Sequence, residues 1–172
     1  MAGLRRFQGK CVVITGASSA IGAAVARAFA REGAHIALVA HRPEHLALVA
    51  LEIRGAGGEG IIFPMDASDV SDLPRRLNDV FSRLGAVDVL VNAGGWRGHA
   101  QARAPRLDLA IPFALTCLAL TRVAARGAAI ISVGPGEARV AVGRASLYFV
   151  RADERADLAA ERILRCAAAY GV

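Results

Sequence analysis

Short apolar runs alternate along the chain with longer segments in which apolar positions recur every three or four residues. Cys11–Thr15 (CVVIT), His35–Ala40 (HIALVA), Ile61–Met65, Val87–Val91 (VDVLV) and Ala128–Val133 are the short runs. They are near-continuously apolar, as parallel strands covered on both faces are. Ala20–Arg31, Glu44–Arg54, Ser71–Arg83, Leu107–Arg126 and Asp153–Tyr170 carry the helical period. Gly33 stands where the first helix would stop, and Pro43 fits the first position of the second. The glycines at 55, 57, 58 and 60 make a turn, Pro112 interrupts or begins the fourth helix, and Asp153 or Ala152 would cap the last. Five alternations of strand and helix, joined by right-handed crossovers, predict an α/β fold with a doubly wound parallel sheet of about five strands. Gly94–Pro105 and Val133–Ala145 read as loops at the carboxyl ends of the strands, where such sheets bind ligands.

Length and composition narrow the class. The 172 residues fit a single domain spanning 1–172. Hydrophobic residues at 55% and charged residues at 21% exclude a disordered chain. No apolar run reaches the ~18–20 residues of a membrane span, and Met1–Lys10 lacks the apolar stretch of a signal peptide. The expectation is a cytoplasmic protein with no membrane contact. Cys11, Cys117 and Cys166 are too far apart for a zinc spacing or a disulfide framework and read as buried, reduced thiols. The formal charge of +6 would suit nucleic acid. The arginines are scattered, however, with no basic run beyond the pairs Arg5-Arg6 and Arg75-Arg76, which argues against it. Lys10 is the only lysine, so chemistry that needs another one is absent.

The first strand runs directly into Thr15-Gly16-Ala17-Ser18-Ser19-Ala20-Ile21-Gly22 and then a helix. Small residues there let the backbone approach a pyrophosphate, and the helix N-terminus stabilises its charge. This turn resembles the TGxxxGxG opening of the short-chain dehydrogenase/reductase family, with Ala20 at the middle glycine. The alanine methyl predicts a weakened fit, not exclusion. Phe63-Pro64-Met65-Asp66-Ala67 resembles the family segment whose Asp touches adenine. Asp88-Val89-Leu90-Val91-Asn92-Ala93-Gly94-Gly95 resembles DxLVNNAG, Leu107–Phe113 resembles VNLxGPF, and Gly127–Val133 resembles the fifth strand, GxIVNIS. The resemblance implies a Rossmann-type dinucleotide fold of the oxidoreductase class. It implies a cofactor site drawn from Gly16, Ser18, Ser19, Ile21, Gly22, Arg42, Asp66, Ala67, Asn92, Ala93 and Gly94. The second strand ends Val39-Ala40-His41-Arg42. An acid there would bind the ribose 2′-hydroxyl of NAD, whereas an arginine suits the 2′-phosphate of NADP. With no acid and with Arg42 present, NADP (NADPH) is favoured over NAD.

The catalytic pattern of the family departs. The resemblance calls for Asn, Ser, Tyr and Lys. Asp108 falls at the Asn, Gly134 or Pro135 at the Ser, Tyr148 at the Tyr and Ala152 at the Lys, so only the tyrosine survives. Ser132 lies early on its strand and does not replace the missing serine. An unassisted tyrosine has a pKa of ~10. Arg151 is the cation nearest in sequence, but on a helix it would point ~100° away from the lysine position. The stretch from Gly95 to Asp108, with Trp96, Arg97 and His99, is shorter than usual. The chain ends at Tyr170-Gly171-Val172, where the family would begin a sixth strand. The fifth strand would then be a sheet edge in need of a cover, and a second copy or a longer relative is the expected partner. The final helix, with Leu158, Ile163, Leu164, Ala167 and Ala168 on one side, could form the interface.

These residues lead to an expected function. The chain reads as an NADP(H)-binding relative of the reductases with lost or strongly impaired carbonyl/alcohol hydride transfer. It would act as a non-catalytic partner or scaffold. The alternative is a diverged NADP-dependent reductase, or a non-redox lyase or isomerase. That enzyme would use Tyr148 with Arg151 or Asp108 assisting, and a partner chain could complete it.

Overall fold

A computed structural model describes residues 5–65, 72–94, 128–134, 138–142, 145–151 and 155–169. The element order is β1 (Cys11–Thr15), α1 (Ala20–Arg31), β2 (His35–Ala40), α2 (Pro43–Gly55), β3 (Glu59–Pro64), α3 (Leu73–Leu84), β4 (Val89–Asn92), β5 (Ala129–Gly134), β6 (Ala138–Val142), β7 (Ala145–Arg151) and α4 (Ala156–Ala168). The expected helix over Leu107–Arg126 lies outside the described residues.

The strands form one sheet in the order β3-β2-β1-β4-β5-β7-β6. All neighbours are parallel except β6, which runs antiparallel to β7. The doubly wound parallel arrangement expected from the alternation is present. One face of the sheet packs Val12, Ile14, Ile36 and Leu38 against Val25 and Phe29 of α1, Leu46 and Ile53 of α2 and Ile163 of α4. The other packs Val13, Ala37, Leu90 and Ile130 against Val80 and Phe81 of α3. Burial on both faces is why these strands read as continuous apolar runs.

Local signals account for the element ends. Ser19 caps α1 by accepting a hydrogen bond from the Gly22 N–H at 3.0 Å. Gly33, at φ +89°, closes the same helix, with its N–H donating to the Ala30 carbonyl and the Ala34 N–H to the Phe29 carbonyl. This paired geometry is the reason a glycine stands there. Pro43 opens α2, where its missing N–H costs nothing. Ahead of β1, Phe7 is buried with its ring 4.8 Å from that of Phe29, in an edge-on arrangement.

The chain beyond β5 differs from the expectation. Val133–Ala145, read as a loop, contains β6, and Tyr148 lies in a strand, not on a helix. Ala145–Arg151 is rich in aromatic and β-branched residues, which favour a pleated strand. β7 lies beside β5, so β5 is not a sheet edge, and the case for a partner covering it falls. The described edges are β3 and β6. The last helix starts at Ala156 behind Arg155, later than the expected cap at Asp153 or Ala152, and packs on α1.

Candidate functional site

The carboxyl ends of β1 and β4 and the start of α1 meet in one place. Gly16, at φ +67°, follows β1 directly. A Cβ on Gly16 would collide with the backbone N and Cα of Gly94 and lie 2.7 Å from the Ala93 carbonyl carbon. A Cβ on Gly94 would in turn lie 3.0 Å from Gly16 Cα. A Cβ on Gly22 would meet the Gly16 carbonyl and sit 2.9 Å from Ala17 Cα. Three glycines thus let the turn fold onto the end of β4 and onto its own helix.

Hydrogen bonds hold this turn. The Ala17 N–H donates to the Val39 carbonyl, the Ser19 N–H to Gly16, and the Ala93 N–H to Thr15. The Ser19 hydroxyl donates to the Ala93 carbonyl at 3.4 Å while accepting from Gly22. The N–H groups of Ala20 and Ile21 have no bond among the described residues. They stand at a helix N-terminus, where backbone N–H groups and the helix dipole favour an anion. Ala20 is exposed, so its methyl meets no protein atom that would bar it.

Arg42 reaches the same turn from the end of β2. Its Nη2 donates to the Ser18 carbonyl at 3.5 Å. Its Nε is buried without a hydrogen-bond partner. A buried, unpaired guanidinium N–H is costly, and an anion seated on the turn would satisfy it. No acid lies at 39–42. His41 is exposed.

Across the middle of the sheet runs a buried polar chain that the sequence did not disclose. The Thr15 hydroxyl donates to Asn92 Oδ1 at 3.2 Å, and Asn92 Nδ2 donates to the Ser132 hydroxyl at 3.3 Å. Thr15, Asn92 and Ser132 are 5%, 1% and 6% exposed. Their backbones pair in register, Thr15 with Asn92 and Asn92 with Ser132. The side chain of Asn92, expected at the cofactor, is thereby engaged inside the protein.

Of the expected catalytic residues, Tyr148 and Arg151 lie on β7. Tyr148 is in register with Ile131, and Arg151 with Gly134 at the carboxyl end of β7. Asp66, Ala67 and Asp108 lie outside the described residues. Lys10 precedes β1, at the opposite end from Gly16, and sits 3.5 Å from Asp88. Cys11 and Cys166 are half-buried free thiols, and burial is the main cause pushing both up from the usual thiol value. Among the described residues no group of three or more His, Cys, Asp or Glu could hold a metal, and no helix is long and apolar enough to cross a membrane.

Comparison with known proteins gives a consistent picture. A family model described as short chain dehydrogenase matches residues 10–148. A short chain dehydrogenase of Pseudocercospora fijiensis is 40% identical over 90 residues, which are 52% of this chain and 29% of that protein. The 11-beta-hydroxysteroid dehydrogenase-like 2 protein of Arabidopsis thaliana is 44% identical over 88 residues, 51% of this chain and 29% of its own. The chain thus spans less than a third of these relatives' length. Among solved structures, a metagenomic short-chain oxidoreductase in complex with NADP is 27% identical at a TM-score of 0.76, covering 95% of this chain and 92% of that one. The hydroxysteroid dehydrogenase from Escherichia coli is 27% identical at 0.64, covering 77% and 60%.

Proposed function

The chain belongs to the short-chain dehydrogenase family, and from that premise we propose that it is an NADP(H)-binding member acting as a non-catalytic partner or scaffold. The observation that carries the cofactor assignment is Arg42, whose Nε is buried and unpaired while its Nη2 reaches Ser18 on the glycine turn. A 2′-phosphate at that point would take the unpaired N–H, and an arginine fork suits a phosphate. The pyrophosphate would lie against Gly16, Ser18, Ser19, Ile21 and Gly22. Ala93 and Gly94 would form the wall opposite, supported by Asn92. Asp66 and Ala67 would complete the adenine side. A solved structure that covers 95% of this chain is a short-chain oxidoreductase in complex with NADP, which supports the reading. When bound, the cofactor supplies a hydride donor or acceptor; this chain's own residues bind and orient it.

The non-catalytic part rests on residue chemistry. Gly134 and Pro135 offer no side-chain donor to a substrate carbonyl, and Ala152 offers no cation to lower a tyrosine pKa. The placement of Tyr148 within a strand, in register with Ile131, supports the same reading. Losing a positioned acid costs about 10²–10⁴-fold. Purified protein with NADPH and a panel of aldehydes and ketones should show no steady cofactor oxidation. Sustained turnover that Tyr148→Phe abolishes would refute the non-catalytic role and establish the diverged reductase instead. A scaffold needs a companion, a second copy or a longer relative. Light scattering on the purified chain distinguishes a self-assembled state from a monomer awaiting another protein.

A further inference from the structure

We infer that Ser132 is a positioning residue for the nicotinamide half of the cofactor, acting through Asn92. The inference rests on the NADP(H) reading and adds the part of the site that reads the far end of the dinucleotide. The buried chain Thr15–Asn92–Ser132 has a direction. Thr15 spends its hydroxyl proton on Asn92 Oδ1, which fixes the amide so that Nδ2 donates to Ser132. The Ser132 oxygen accepts, and its own proton has no partner among the described residues. Among the described residues this leaves a hydroxyl 6% exposed with an unspent donor, which is unusual for a buried polar group.

Its location sets what it can affect. Asn92 is the last residue of β4 and is followed by Ala93, which is bonded to both Thr15 and Ser19, and by Gly94, which abuts Gly16. Ser132 therefore holds the strand end that forms one wall of the crevice. The adenosine end is marked by Arg42 at β2, and β5 lies three strands away through β1 and β4. At ~4.8 Å per strand this is about 14 Å, a span comparable to the two halves of a dinucleotide. The only lysine is at the opposite end of β1. By holding that strand end, Ser132 is placed to fix the wall beside which the second ribose and its carboxamide ring would lie.

Calorimetric titration of the full chain separates this role from general stability. NADPH probes the whole site, and 2′,5′-ADP probes the adenosine end alone. Ser132→Ala should bind NADPH about tenfold more weakly, the size of one lost hydrogen bond, while 2′,5′-ADP binding stays within about twofold. Ser132→Thr, which keeps the hydroxyl, should restore NADPH binding. Unchanged NADPH affinity in Ser132→Ala would overturn the inference. An equal loss for both ligands would also overturn it, by showing a loosened fold. Wild-type protein that binds neither ligand would refute the cofactor reading and this inference with it, whereas the first two outcomes leave the cofactor reading standing.

Discussion

Gly94 is the residue whose replacement tests the glycine turn most cleanly. Its φ is unexceptional, so an alanine brings no backbone strain, only a methyl 3.0 Å from Gly16 Cα and 3.2 Å from Gly16 N. The turn must shift by a few tenths of an ångström to admit it. Gly94→Ala should lower stability by about 1–3 kcal/mol, the usual range for overpacking, and weaken NADPH binding by more than it weakens the fold. A melt and a titration on the same sample would check this. Arg42→Ala removes the unpaired Nε together with the proposed phosphate contact. It should lower NADPH affinity while leaving the melting temperature of the ligand-free chain nearly unchanged. These residues were legible in the sequence, since a glycine turn after a strand and a basic residue after the next strand are local patterns. The Thr15–Asn92–Ser132 chain was not. Its members are far apart in sequence and meet only through the register of three strands.

At the scale of elements, β1, α1 and β2 fall on the boundaries that the sequence indicates, because caps and apolar runs end there together. The hairpin β6–β7 was missed. Family resemblance put Tyr148 on a helix, while Leu147-Tyr148-Phe149-Val150 itself carries a strand composition. Local propensity was the better guide there. The start of α3 offers a pH prediction. Asp72 precedes the helix and is paired with Arg75 and Arg76, whose hydrogen bonds hold its carboxyl down at about 2. A depressed carboxylate stabilises the fold above its unfolded value of ~3.9, and this contribution is lost as pH falls through the folded value. Asp72→Asn should therefore melt slightly lower than wild type at neutral pH, with the gap closing between about pH 4 and 2. The pair is solvent-exposed, so the gap should also shrink in high salt. A gap that stays constant with pH would assign the effect to something other than charge.

The whole molecule is a sheet clad on one face by α1, α2 and α4 and on the other by α3 among the described elements. Ile163 joins α4 to this core and is fully buried. Ile163→Ala should cost about 2–5 kcal/mol, a large share of the ~5–15 kcal/mol that holds a typical domain together. Denaturant unfolding of the two proteins measures it. A much smaller loss would mean that α4 is not integral to the fold. Placing β7 beside β5 also removes the sheet edge that had suggested a covering partner. Any assembly must then use another surface.

The account's central claim is that this architecture still binds a phosphorylated dinucleotide. Parallel calorimetric titrations of the wild-type chain with NADPH and NADH test it most directly. The account predicts binding to NADPH on the order of micromolar, with NADH at least about tenfold weaker because only NADPH carries the 2′-phosphate for Arg42. Binding of neither nucleotide, or of NADH as tightly as NADPH, would contradict it.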